Sequence, residues 1–233
     1  MKKMKIGVIT FPGSNCDQDM IYALKSFSTN EVISLWHKNT SIESCDLIVL
    51  PGGFSYGDYL RSGAIAQFSP IMKEVIKHAN NGGLVLGICN GFQILCETGL
   101  LPGTLLHNNN QKFICKNVFI KAESSSAVIS SSLDKNKAYK IPIAHAEGRY
   151  YASESVLKEL NDNDQIIFRY CNEDAKMNYD TNPNGALENI AGVCNKNKNV
   201  FGMMPHPERA VDELLNNIDG RAIFESLLNL VSI

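Results

Sequence analysis

Two residues far apart in this chain, Cys89 and His206, each sit in a setting that aims a side chain. Cys89 lies in Gly87-Ile88-Cys89-Asn90-Gly91, where the apolar run from Leu84 gives way to a helix-like segment reaching Leu95. A strand that runs straight into a helix holds its central residue in a strained turn, and the flanking glycines remove side chains that would collide where the two cross. The sulfur then stands at the first turn of a helix, where unpaired N–H groups and the helix dipole favour negative charge. The five residues alone leave a second reading open, a buried cysteine in a tight turn. His206 is fixed between Pro205 and Pro207, which restrict the backbone, and Glu208 follows two residues on. In an extended chain both side chains leave the same side, so Glu208 can accept from one ring nitrogen and leave the other for the sulfur. A surface His-Pro-Glu turn is the alternative.

The chemistry these types allow is acyl transfer through a thioester, with cysteine as nucleophile, histidine as base and a carboxylate to orient it. Such a reaction needs donors for a tetrahedral oxyanion. The main-chain N–H of Asn90 is one, and the glycine-rich turn Pro51-Gly52-Gly53-Phe54 can present a second, unless those glycines only end a strand. His78 falls on the polar face of the Ser69 helix, His37 and His107 lie in strand-to-loop regions with no acid at a suggestive spacing, and His145 is a weaker candidate base. Cys16, Cys45, Cys96, Cys115, Cys171 and Cys194 read most simply as small buried apolar residues.

Those side chains need a scaffold, and the pattern predicts one. Lys5 to Phe11 reads as a buried first strand ending at Pro-Gly, followed by a helix capped by Ser14 or Asp17 and running to about Phe27. Glu31 to Trp36, Asp46 to Leu50 and Leu84 to Gly87 are further strands without polar alternation, as in a sheet covered on both faces. Ser69 to Asn81 is the clearest helix, with Ser69 as N-cap, Pro70 at the first helical position and Gly82-Gly83 after it. This βαβ rhythm implies a doubly wound, mainly parallel α/β sheet with its loops gathered at the strands' carboxyl ends. After Leu100 the runs shorten: Phe113 to Ala122, Ala127 to Ser130 and Ile141 to Ala144 read as antiparallel strands added to one side, with Ser124 to Ser132 a loop and edge strand. Ser153 to Leu160 is a short helix, Gln165 to Tyr170 a strand, Ala191 to Met204 a hairpin turning at 195–199, and Asp219 to Val231 a closing helix.

At 233 residues one domain spanning 1–233 is the expectation. A net charge of −2, with acids and bases interspersed, gives no reason to expect nucleic acid or an anionic membrane as partner. Seven cysteines without a close pair argue against a disulfide framework and against zinc of the CxxC kind, so a reducing, cytoplasmic setting is expected and no metal ligand set is assigned. The basic start is followed by an apolar run too short for a signal sequence.

The pattern Gly87-x-Cys89-x-Gly91-x-Gln93, with His206-x-Glu208 downstream and Pro51-Gly52-Gly53 upstream, resembles the class I glutamine amidotransferases. The blocks FPGSNCD (11–17), PGGFSYGDYLRSGA (51–64), GICNGFQIL (87–95), HAEGRY (145–150), NPNG (182–185) and MPHPER (204–209) are similar, more narrowly, to the glutaminase subunits of phosphoribosylformylglycinamidine synthases of purine biosynthesis. The resemblance implies a flavodoxin-like fold in which Cys89 attacks the side-chain amide of L-glutamine, His206 moves the proton and Glu208 holds His206. Gly53 and Asn90 would form the oxyanion hole and Gln93 would help seat the glutamine. It further implies no cofactor in this chain. A large synthetase subunit would bind ATP and Mg and convert formylglycinamide ribonucleotide to formylglycinamidine ribonucleotide, with a third small subunit joining the two. The absence of a GxxxxGK[ST] loop fits that division. Two stretches depart from the pattern: 124–137 matches no block, and the 195–199 turn lacks an expected glycine. The motifs 56–61 and 145–150 have no triad role and are expected in loops near the active-site face or partner interface, or in local hydrogen bonding. A subunit serving another synthetase, a cysteine hydrolase of related fold, and an idle docking or regulatory subunit are the competing readings.

Overall fold

In the computed structural model, residues 3–26 and 29–229 are described. Four short apolar runs form the parallel centre: β1 (Lys5–Thr10), β2 (Glu31–Trp36), β3 (Leu47–Leu50) and β4 (Leu84–Ile88). All four residues of β3 are buried, as expected of a strand with helices on both faces. The helices between them are α1 (Asp17–Ser26) and α2 (Pro70–Asn80), and α3 (Asn90–Glu97) follows β4. The second half adds β5 (Thr104–Leu106), β6 (Ile114–Ala122), α4 (Val128–Ser131), β7 (Tyr139–His145) and β8 (Arg149–Tyr151). It ends with α5 (Glu154–Asp162), β9 (Ile166–Cys171), β10 (Ile190–Cys194), β11 (Val200–Met203) and α6 (Asp219–Asn229).

One sheet of nine strands runs in the order β2-β1-β3-β4-β11-β10-β9-β6-β7, and β5 pairs with β8 in a separate ribbon. The first five are mutually parallel, which is the flavodoxin-like 2-1-3-4-5 order, and β10, β9, β6 and β7 continue it antiparallel. The expected architecture is therefore present. Its consequence for the site is geometric: the segments after β1, β3, β4 and β11 all emerge at the carboxyl edge of one parallel layer.

Several local expectations are corrected. Ala127 to Ser130 is not a strand; the segment winds into α4 because Ser124 Oγ accepts the Ala127 N–H at 3.0 Å and Ser130 Oγ donates to the Ser124 carbonyl at 3.0 Å. Asp164 fixes the entry, accepting from Ser124 Oγ at 2.8 Å and from the Ser125 and Ser126 N–H groups at 3.2 and 3.1 Å. Neither Ser14 nor Asp17 caps α1 as expected: Asp17 is the first helical residue, and Ser14 Oγ instead accepts the Phe11 N–H at 3.2 Å. Ser69 holds the N-cap position of α2, yet its hydroxyl pairs with Tyr56 Oη at 2.9 Å rather than with the helix. The 195–199 turn needs no glycine because Lys198 takes the positive φ, at 57°, while Asn195 Oδ1 accepts from Asn199 N and Val200 N at 3.1 Å each. Cys115 is exposed on β6 rather than buried. Phe27 and Val231, the expected ends of the first and last helices, lie outside the described residues.

Candidate active site at the ends of the parallel strands

Cys89 ends β4 and opens α3 with φ 50° and ψ −104°, a backbone conformation that an L-residue holds only under strain. The close crossing of strand and helix explains why: a Cβ at Gly91 would collide with the Leu50 carbonyl of β3. Cys89 is buried, its S–H pointing to the Ala144 carbonyl of β7 at 3.7 Å.

The loop after β11 delivers His206, the expected base. His206 Nδ1 and Glu208 Oε1 are 2.7 Å apart, both residues being 2% exposed. Their juxtaposition was legible in the sequence, but the geometry was not. Rather than an extended chain, Pro207 starts a 3-10 turn over Pro207–Arg209 that swings the carboxylate back onto the ring. Burial pulls the imidazole toward neutrality, but the Glu208 carboxylate and the Cys89 sulfur outweigh it and raise the His206 pKa well above its ordinary value. Among the described residues Nε2 meets no partner at full hydrogen-bond geometry, so the contact with Cys89 is a loose one. Catalytic bonds of this kind commonly tighten only with substrate in place. Gly52 matters here as a close approach: a Cβ there would lie 2.6 Å from His206 Cε1.

Cys16 corrects another expectation. Its sulfur accepts from Arg209 Nη2 at 3.1 Å and also interacts with the His206 ring, while Arg209 Nε reaches Asp19 Oδ2 of α1 at 3.1 Å. It is a neighbour of the base, not mere filling. Nothing local in FPGSNCD announces this, because the contact joins segments some 190 residues apart. Cys16, His206 and Glu208 also form a set of three potential metal ligands within 4.8 Å of one another. Glu208 and the ring are already committed to each other, and the Arg209 guanidinium brings positive charge to the sulfur.

The sulfur faces a cavity of about 190 Å³ lined by Gly53, Phe54, Asp58, Ser62, Gln93, Ala144, His145, Ala146 and Glu147. It is smaller than the about 300–1,000 Å³ of pockets for drug-sized ligands. Gly53 and Gln93, expected at the substrate, are therefore on its wall. Asn90 contributes more than the main-chain N–H anticipated for it: Oδ1 accepts the Ser55 N–H at 3.2 Å, and Nδ2 donates to Gln93 Oε1 at 3.0 Å and to Asp58 Oδ1 at 3.3 Å. Gln93 Nε2 in turn donates to the Glu147 carbonyl at 2.7 Å. Motifs 56–61 and 145–150 thus meet at the pocket and also make local hydrogen bonds. His145 is not a second base: Nδ1–H donates to Asn108 Oδ1 at 3.1 Å, no carboxylate backs it, and burial with His206 nearby pulls its pKa down to about 4. His107 does have an acid, Glu147, at 3.3 Å, supplied by a remote segment. His37 pairs with Tyr56 Oη at 2.7 Å and His78 with the Leu84 carbonyl at 3.2 Å, both structural.

A strand-to-helix cysteine beside a buried His–Glu pair, at the carboxyl edge of a 2-1-3-4-5 sheet, defines a cysteine-dependent acyl-transfer enzyme. The CobB/CobQ-like glutamine amidotransferase domain matches residues 3–226, and the chain belongs to that family. It is 51% identical over 98% of its length to the phosphoribosylformylglycinamidine synthase subunit PurQ of Salinibacter ruber, covering 97% of that protein, and 52% identical to its counterpart in Koribacter versatilis, covering 99% of it. Among solved structures it is similar to a chain of PurLQS from Thermotoga maritima, with TM-score 0.86 and 43% identity over 99% of this chain and 100% of that one.

Proposed function

We propose that this chain is the glutaminase subunit of a phosphoribosylformylglycinamidine synthase, working in the cytoplasm with a large synthetase subunit and a third small subunit. The observation that carries the reading is the buried His206–Glu208 pair coupled to Cys89, whose sulfur faces one small pocket, in a chain half identical to PurQ proteins. The Cys89 sulfur attacks the side-chain carbonyl carbon of glutamine, and the oxyanion is met by the Gly53 and Asn90 main-chain N–H groups. His206, held by Glu208, gives its proton to the departing nitrogen, so ammonia leaves and a glutamyl thioester remains. Water then adds to the thioester as His206 takes its proton; glutamate leaves and the thiol is restored. These steps use side chains, backbone and water; ATP and Mg belong to the synthetase, which joins the ammonia to formylglycinamide ribonucleotide.

The test uses the assembled complex. Cys89→Ala is expected to abolish glutamine-dependent synthesis while ammonium salts still support it. Retention of glutamine use by this variant would remove Cys89 as the nucleophile. An idle docking subunit predicts no glutaminase activity in the unmodified complex.

A further inference from the structure

Two carboxyl side chains from unrelated segments wall the Cys89 pocket: Asp58 from the loop after β3 and Glu147 from the turn after β7, with no lysine or arginine among its described lining residues. Glu147 is braced on both oxygens, one accepting the Ser62 N–H at 3.3 Å and the other 3.3 Å from His107 Nε2. Asp58 is held by Asn90 Nδ2 at 3.3 Å and by the Ser62 hydroxyl. Burial, with the Glu147 charge adding to it, pushes the Asp58 carboxyl up to about 6, so keeping it ionised here costs free energy. The turn does not require an acid: Asp58 has φ 53°, a conformation that asparagine adopts as readily and glycine more so. His145, on the same wall, adds an acceptor, since Nδ1 donates to Asn108 and the buried Nε2 is without a partner among the described residues. The described lining of the pocket is thus short of positive charge.

We propose that Asp58, assisted by Glu147, recognises the α-ammonium group of glutamine, so that the substrate's head enters with its ammonium inward and its α-carboxylate toward the mouth. This rests on the reading of the pocket as a glutaminase site. A zwitterion then supplies the charge that the two acids lack, and a site built to bind an N–H group rejects analogues without it more strongly than a merely shaped site does.

The experiment compares three amides in the glutaminase reaction of the intact complex: glutamine, its desamino analogue 4-carbamoylbutanoate, and glutamine with its α-carboxyl amidated. Loss of the α-ammonium is expected to lower kcat/KM by about 100-fold or more, and amidation of the carboxylate by less than about 10-fold. Asp58→Asn is expected to lower kcat/KM for glutamine by a similar ~100-fold, chiefly through KM, while changing that for the desamino analogue by less than about twofold. If the variant slows both substrates equally, Asp58 only shapes the loop and the proposal falls; it also falls if the unmodified complex accepts both alike. Glu147→Gln, on a separate element, reads the same ratio should Asp58→Asn fail to assemble. Hydrolysis of none of the three amides by the unmodified complex would instead overturn the glutaminase reading itself.

Discussion

The proposed nucleophile is held at a backbone angle that its side chain resists. At φ 50° and ψ −104°, Cys89 costs about 1–3 kcal/mol relative to relaxed backbone. Glycine is free of that penalty, so Cys89→Gly is expected to be more stable than Cys89→Ala by about 1 kcal/mol in denaturant unfolding, although both lack the sulfur. Equal stability would mean that the turn is not strained. Asp58 carries a cost of another kind. Its carboxyl is held up near pH 6 in the folded protein, above its unfolded value of 3.8, so its contribution to stability is fully present below about pH 4 and is lost as pH rises through 6. Asp58→Asn is therefore expected to stabilise the folded chain at pH 7–8, on the order of 1 kcal/mol after allowance for the group's partial exposure, with no gain below pH 4. Thermal unfolding across that range checks both the sign and the window.

Whole elements differ in how much of their cause lies within their own residues. Leu47–Leu50 and Leu84–Ile88 are uninterrupted apolar runs, so their burial on both faces, and hence the parallel sheet, follows from local composition. Helix α4 is the opposite case. Val128 and Ile129 favour a strand on their own, and the turn is imposed by Asp164, about forty positions away in sequence, gathering Ser124, Ser125 and Ser126. No pattern within 124–132 reveals that carboxylate. Hydrogen bonds from Ser126 and Ser124 outweigh its burial and hold Asp164 below its ordinary pKa, so its contribution is present above pH 4 and lost as pH falls through the carboxylate range. Asp164→Ala is expected to cost about 1–3 kcal/mol at pH 7 and to flatten the acid limb of the stability profile, with glutaminase kcat unchanged. The same division runs through the site. Cys89 and the Gly52-Gly53 turn announce themselves through glycine spacing and strand ends, Gln93 only through the resemblance to the amidotransferases, and His206 with Glu208 through adjacency. Cys16 beside His206, and Glu147 beside both His107 and Gln93, are contacts made only by the closed fold.

At the scale of the molecule, the parallel layer collects four loops at one edge, after β1, β3, β4 and β11, and the antiparallel extension brings β7 alongside to close the pocket over Cys89. In the proposed reaction the ammonia formed at Cys89 begins its path inside a cavity lined by Asp58, Ser62, His145 and Glu147. Neutral ammonia becomes ammonium once it reaches water near pH 7, and ammonium cannot act as a nucleophile. A glutaminase alone therefore loses its product to solvent, whereas one whose pocket mouth is covered by the synthetase passes it on. The expected outcome is a glutamate-to-product ratio near one for the assembled complex at saturating nucleotide substrates. The ratio should rise as the subunits are diluted below their dissociation constant, because hydrolysis then continues without capture. Measuring glutamate and formylglycinamidine ribonucleotide in one reaction over a dilution series checks it. A ratio that stays near one on dilution, while both rates fall together, would mean that the isolated chain is silent and that the partner completes the site rather than only covering it.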